Sequence, residues 1–286
     1  MIQTVTINSR SGLAFTADVA GPVEGPLVLL LHGFPESRHS WREVLPALAG
    51  AGYRAVAPDQ RGYSPGARPD PADLSNYAFD RLVSDAIDIA AASGYDGKRF
   101  HLVGHDWGGQ VSWGVADKYP ERLASLTILS RPHPKSFRRA LLDEKTDQKH
   151  RSRHHRAFLE PDTAQLLLAD DAKRLRGGLF GQGVPSAALE AHLSVLGNPQ
   201  ALEAALAWYR SNKGLAADIG TIRVPTLYIW GVADATVGPD AAHGTAEFVS
   251  GAFAMEVLPG VGHFVMDQAP ARATDLVLAH LKAHPV

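Results

Sequence analysis

Three ionisable residues stand where the chain leaves an apolar run: Asp106 in "HLVGHDWGGQ", Asp234 in "LYIWGVADATV" and His263 in "EVLPGVGHFVMDQ". Asp106 is hemmed by Gly104 and Gly108, which permit a turn too tight for side chains at close backbone approach. An aspartate on such a strand-to-helix turn sits at a helix N-terminus, where backbone N–H groups favour its ionised form. An ionised carboxylate needs no base to attack an electrophilic carbon, and the product of that attack is an ester. An aspartate–histidine pair further along the chain could then activate water against the ester. Taken singly, Asp106 reads equally as a helix N-cap, Asp234 as a turn residue and His263 as a structural histidine. What joins them is their order (nucleophile, acid, histidine) and their shared position just past strands. Asp240 competes with Asp234 as the acid but lies further from its strand.

These residues need a scaffold that brings strand ends together. The 286 residues are 45% hydrophobic and 20% charged with a net charge of −2, a composition that supports a sizeable core. The near-neutral balance carries no footprint for nucleic acid or membrane partners. There is no cysteine, which excludes disulfides and thiolate metal sites. The N-terminus lacks a basic start followed by an apolar run, and no apolar stretch is long enough to span a bilayer, so the expected address is the cytoplasm. "TVTINSRSGLAFTADVAG" reads as a hairpin around a Ser-Gly turn. Six short β-rich runs follow: "LVLLLHG", "YRAVAPD", "FHLVGHD", "LASLTILS", "TLYIWG" and "FAMEVLPG". They are apolar almost throughout, as parallel strands covered on both faces should be. Between the earlier runs, segments such as "WREVLPALAGAG" carry helical spacing, so the pattern is a doubly wound α/β sheet. From Arg131 to about Asp218 no strand pattern occurs, which predicts a helical insertion between two strands of one sheet. In open α/β sheets ligands bind beyond the carboxyl ends of the strands, where Asp106, Asp234 and His263 all fall.

"GHDWGG" resembles the nucleophile elbow of the α/β-hydrolases, with Asp106 at the position usually held by serine. "LLLHGFPES" is similar to their oxyanion loop, which would make the backbone N–H groups of Phe34 and Trp107 the two donors and His32 an anchor of the loop. With these motifs the chain resembles the aspartate-nucleophile branch of the family, most of all the epoxide hydrolases, with the haloalkane dehalogenases close by. No Gly-x-Ser-x-Gly occurs, which disfavours a serine esterase. The resemblance implies an α/β-hydrolase fold: a mostly parallel eight-stranded sheet with helices on both faces and an inserted helical cap. The core would be residues 1–131 and 218–286, and the cap 132–217. It implies opening of an epoxide through an ester on Asp106, then attack by water activated by His263 and Asp234, giving a vicinal diol with no metal or organic cofactor.

Such enzymes aid the leaving oxygen with cap residues, typically two tyrosines. Tyr209 in "ALAWYRSNKG" matches one of them. The other has no counterpart: "DQKHRSRHHRAFLEP" contains no tyrosine, and the position falls near His154, His155 or Ala157. His154 is taken as the replacement, against the alternative that "KHRSRHHR" is a solvated basic face. His150 and His154 stand four apart without an evident third ligand, so no metal is expected. Phe34, Trp41 and Trp107 suggest an aromatic-lined pocket for a small apolar epoxide, although each could equally be core. One alternative is hydrolytic dehalogenation by the same Asp106, with the Trp107 N–H holding the halide. Another is a catalytically idle small-molecule-binding protein on the same scaffold, which would have no physical need for the intact set of three. Nothing separates a monomer from a homodimer.

Overall fold

The computed structural model describes residues 1–213 and 218–286. Strands β1 (Gln3–Asn8) and β2 (Ala14–Ala20) form the hairpin around Gly12, whose positive φ of 82° closes the turn. The remaining strands are β3 (Leu27–Leu31), β4 (Arg54–Pro58), β5 (Phe100–His105), β6 (Leu123–Leu129), β7 (Thr226–Gly231) and β8 (Phe253–Leu258). They form one eight-stranded sheet in the order β1-β2-β4-β3-β5-β6-β7-β8. β2 pairs antiparallel with β1 and β4, and every other pairing is parallel. The hairpin and all six apolar runs therefore correspond to strands.

Alternation along β3 sorts its side chains between two cores: Leu27, Leu29 and Leu31 enter one cluster, Val28 and Leu30 the other. Helices α1 (Val44–Gly50), α2 (Phe79–Ala90) and α3 (Trp107–Lys118) cover the two faces. β3, β5, β6 and β7 are buried throughout, as the unbroken apolar runs predict. β8 departs from that pattern: it stands at the edge of the sheet with β7 as its one neighbouring strand among the described residues, and is largely half-exposed.

Between β6 and β7 the described residues contain no strand. They form α4 (Pro134–Leu142), α5 (Gln148–Arg151), α6 (His154–Phe158), α7 (Thr163–Phe180), α8 (Ser186–Leu196) and α9 (Pro199–Ser211). α7 is interrupted at Ala169–Ala172, where Asp170, Asp171 and Ala172 take positive φ. The junction expected at 217/218 falls at residues 214–217, outside the described residues. After β7 come α10 (Pro239–His243), β8, α11 (Val265–Gln268) and α12 (Pro270–Ala283). Among the described residues no helix is long and apolar enough to cross a membrane.

Buried side chains of α8 and α9 are among the polar anchors that tie the helical insertion to the core. Trp208 of α9 donates its indole N–H to the Arg61 carbonyl at 2.9 Å, on the loop after β4 that the Arg61–Asp85 ion pair holds at 2.6 Å. His192 of α8 reaches a buried polar cluster, accepting from or donating to Ser37 Oγ at 3.0 Å and lying 3.4 Å from Asp267 Oδ2.

Candidate active site

β5 ends at His105 and α3 begins at Trp107, so Asp106 alone makes the turn. It does so at φ 47°, ψ −115°, a conformation that costs a non-glycine residue energy and persists only where the surroundings enforce it. Its neighbours show how. A Cβ on Gly108 would lie 2.1 Å from the Leu31 carbonyl oxygen, and one on Gly104 would lie 2.5 Å from the Gly108 oxygen. Gly33 permits the approach of the loop after β3, since a Cβ there would meet Asp106 Cβ at 2.5 Å. That loop turns so that the Phe34 N–H donates to Asp106 Oδ1 at 3.0 Å. Trp107 is the first residue of α3, so its N–H has no acceptor within the helix. His32 braces the loop, with Nδ1 2.9 Å from the Gly33 oxygen and Nε2 accepting from the Gln60 N–H at 3.2 Å. Burial lowers the His32 pKa to about 3, so the ring is neutral and fills both positions.

The second carboxylate oxygen, Asp106 Oδ2, lies 3.6 Å from His263 Nε2. The other side of that ring faces Asp234, with Nδ1 3.0 Å from Oδ2 and 3.1 Å from Oδ1. Asp234 is fully buried, and its Oδ1 also accepts from the N–H groups of Thr236 and Val237 at 2.7 and 3.0 Å. Asp240, the competing acid, is exposed in the first turn of α10. Burial alone would lower the His263 pKa, but the charge of Asp234, the hydrogen bonds to it and the nearby Asp106 carboxylate raise it to about 10. For Asp106, burial works to raise the pKa. The close approach and charge of His263 overcome it, with help from His105 and Arg131, and hold the carboxyl far below the usual carboxylate range. The resting pair is an aspartate facing an imidazolium.

Both groups open onto a cavity of about 330 Å³ between the sheet end and the inserted helices. Phe34, Phe158, Leu167, Leu175 and Phe264 give it apolar walls, and Tyr209 and His154 supply polar ones. Tyr209 is buried among Phe34, Trp107, His155 and Phe158, all edge-on to its ring. Burial, with the nearby Asp106 charge, pushes its pKa well above 10, so the hydroxyl keeps its proton.

Asp106, Asp234, His263, Tyr209, His154 and Phe34 are thus brought to one place. Two aromatic expectations are corrected. Trp41 lies on the opposite face of the sheet, fully buried with Val44, Leu45 and Leu48 against α12, and does not line the cavity. The Trp107 ring also stays off the cavity surface and packs edge-on to Trp208 and Tyr209 at 5.5 and 5.1 Å. The role expected of His154 changes too. Its Nδ1 lies 3.0 Å from the Arg151 carbonyl oxygen, which can only accept, so Nδ1 holds the proton. Burial lowers its pKa, and the neutral ring therefore offers an Nε2 lone pair rather than an N–H. His155 faces away from this cavity into a second one.

Sequence spacing gave no sign of a further link. His105 Nδ1 is 2.8 Å from Glu36 Oε2, and its Nε2 donates to the His263 carbonyl at 2.8 Å, so the loop carrying His263 is pinned to the elbow. Glu36 and His105 stand inside the two motifs, but only the fold shows that they pair. Glu36, His192 and Asp267 also have potential metal-ligand atoms within 4.8 Å of one another. Arg42, 2.8 Å from Asp267, already supplies positive charge to that cluster, and His105 Nδ1 sits 2.8 Å from Glu36.

An elbow nucleophile after β5, an acid and a histidine on the segments after β7 and β8, and a helical insertion over them define a hydrolase of the α/β class. A family model described as "alpha/beta hydrolase fold" matches residues 26–270. Curated relatives include mouse "Epoxide hydrolase 4", 34% identical across 95% of this chain and 77% of that protein. "Epoxide hydrolase A" of Mycobacterium tuberculosis is 32% identical across 97% of each chain. A crystal structure of Bacillus megaterium epoxide hydrolase in complex with an inhibitor superposes with a TM-score of 0.85 at 26% identity, covering 98% of this chain and all of that one. The chain belongs to the alpha/beta hydrolase fold family and stands within it among the epoxide hydrolases.

Proposed function

We propose that this protein opens epoxides to vicinal diols through a covalent ester on Asp106, in a cavity between a core of residues 1–131 and 218–286 and a helical cap of 132–217. The observation that carries the reading is the position of Asp106: ionised, strained onto the elbow, with Oδ1 held by the Phe34 N–H and Oδ2 facing His263. Oδ2 attacks one epoxide carbon, and the C–O bond to the ring oxygen breaks. Tyr209 hydrogen-bonds that oxygen as its charge develops and gives up its proton to it, regaining one from the solvent pool. The ester removes the charge of Asp106, so His263 loses a stabilising partner and releases its proton. Neutral His263, oriented by Asp234, then takes a proton from water as the water attacks the ester carbonyl. The Phe34 and Trp107 amides hold the resulting oxyanion. Collapse expels the diol oxygen, which takes a proton from His263, and the new carboxyl proton returns to the imidazole. The aspartate–imidazolium pair is restored.

His154 joins as a donor only when it is protonated, since its single ring proton otherwise serves Arg151. The substrate expected is a small epoxide with an apolar substituent, matched to the Phe34, Phe158 and Leu167 walls. The names of the relatives support epoxide opening over dehalogenation, and the Trp107 indole is not on the cavity surface where a halide would sit. Incubation with styrene oxide tests the reading. Phenylethanediol should accumulate with wild-type protein and not with Asp106→Ala. Diol formation that survives in the variant would reject Asp106 as nucleophile.

A further inference from the structure

Behind Tyr209, on the side away from Asp106 and His263, lies a second cavity of about 170 Å³. Arg131, the residue two past the end of β6, forms part of its surface, and that side chain is 4% exposed. Its Nε donates to Gln110 Oε1 at 2.9 Å, and the guanidinium lies 4.8 Å from the centre of the Phe137 ring. Among the described residues no carboxylate is within ion-pair distance of it, and residues 214–217, Gly-Leu-Ala-Ala, carry no acidic side chain. The acidic group that acts on it, Asp106, is already paired with His263. Among the described residues Gln110 is its one hydrogen-bond acceptor, and a buried guanidinium with N–H donors to spare is costly unless something anionic meets it.

The rest of the cavity indicates what that anion is. Phe137, Leu141 and Leu159 line it with hydrocarbon, Arg138 and Lys213 stand exposed at its rim, and no acidic residue borders it. We propose that this cavity binds a small organic acid, with the carboxylate on Arg131 and an aryl or short aliphatic body between Phe137, Leu141 and Leu159. A guanidinium matches a carboxylate through paired N–H···O bonds, and the apolar walls favour an organic acid over a bare inorganic anion. Tyr209 is the wall shared with the reaction cavity, so the bound acid lies directly behind the residue proposed to aid the leaving oxygen. The site stands apart from the epoxide reading, and binding can be measured with no epoxide present.

Calorimetric titration of the intact protein with benzoate tests it, with benzyl alcohol and inorganic phosphate as comparison ligands. Benzoate should bind one to one and at least about tenfold more tightly than either, as a charge-assisted contact added to an apolar one requires. Arg131→Met should abolish the binding. Leu159→Trp fills the cavity from an apolar wall without touching the cation, and should abolish it as well, which guards against a folding defect in the first variant. Arg174→Ala, at the other cavity, should leave it unchanged. The proposal is overturned if benzoate does not bind, if phosphate binds as well, if folded Leu159→Trp retains the affinity, or if Arg174→Ala removes it.

Discussion

At the residue scale, the proposed reaction asks His263 to be a base although the resting site holds it protonated. The two uses are reconciled by Asp106. Burial works against the imidazolium, and the charges of Asp234 and Asp106 raise its pKa to about 10. Esterification cancels one of those charges. Hydrolysis of the ester should therefore speed up as pH rises through a midpoint below 10, while ester formation, which needs ionised Asp106 and protonated Tyr209, should stay flat through mildly acidic pH. Rapid-mixing measurement of the two phases checks this, and one shared midpoint would contradict it. The same shifts feed stability with opposite signs. His263 has a raised pKa, so its contribution is complete below its ordinary 6.5 and fades as pH rises toward about 10. Asp106 is depressed, so its contribution is complete above its ordinary 3.8 and is lost only in strong acid. With the His154 proton given to Arg151, Tyr209 is the donor at neutral pH. Tyr209→Phe should slow ester formation by roughly 10²- to 10⁴-fold, the usual worth of a general acid, with ester hydrolysis little changed. Equal slowing of both phases would point to a structural role. Distance from the strand end favours Asp234 over Asp240 in the sequence, and in the fold Asp234 is the carboxylate that faces the His263 ring. The sequence did not reveal the His154 proton, since a ring's free nitrogen depends on which carbonyl the other one meets.

At the scale of elements, the strands were legible because burial on both faces writes an unbroken apolar run, and the turns because close backbone contact demands glycine. Gly33 belongs to that second group. A methyl placed there would meet Asp106 Cβ at 2.5 Å. Gly33→Ala should cost about 1–3 kcal/mol in unfolding free energy, the usual range for overpacking, and should cut activity further by displacing the carboxylate from the Phe34 N–H. Denaturant unfolding beside a rate assay measures both, and a fully active variant would show that the approach is slack. Trp41 shows where such reading stops. An aromatic residue ten positions past the end of a strand, as Trp41 is past β3, can belong to either face of the sheet. Its placement against α12 depends on the direction the turn at Arg38–Trp41 takes, which hydrophobicity alone does not encode. The edge position of β8 is likewise a fact of strand order rather than of local composition.

At the scale of the whole molecule, the helical insertion is held to the sheet by a few buried polar contacts as well as by apolar packing. His192 of α8 is fully buried between Ser37, on the loop after β3, and Asp267 of α11, the helix after β8. Burial opposes the Asp267 charge, but His192 and Arg42 hold its pKa at about 2. His192→Ala would leave two buried polar groups short of a partner, at about 1–3 kcal/mol for each. It should lower the unfolding midpoint and loosen α8, seen as faster amide exchange there, while β5 and β6 keep their protection. Unchanged exchange in α8 would mean that apolar packing alone docks it. Helical spacing announced an insertion between β6 and β7 but not these contacts, because they join residues far apart in the chain whose polarity suits a surface equally well.

The central claim, a covalent ester on Asp106, is tested most directly by intact-protein mass spectrometry of His263→Gln after exposure to styrene oxide. The account predicts a stable gain equal to one whole epoxide, mapped by peptide analysis to Asp106. A folded variant that gains no mass, or gains it at another residue, would contradict it.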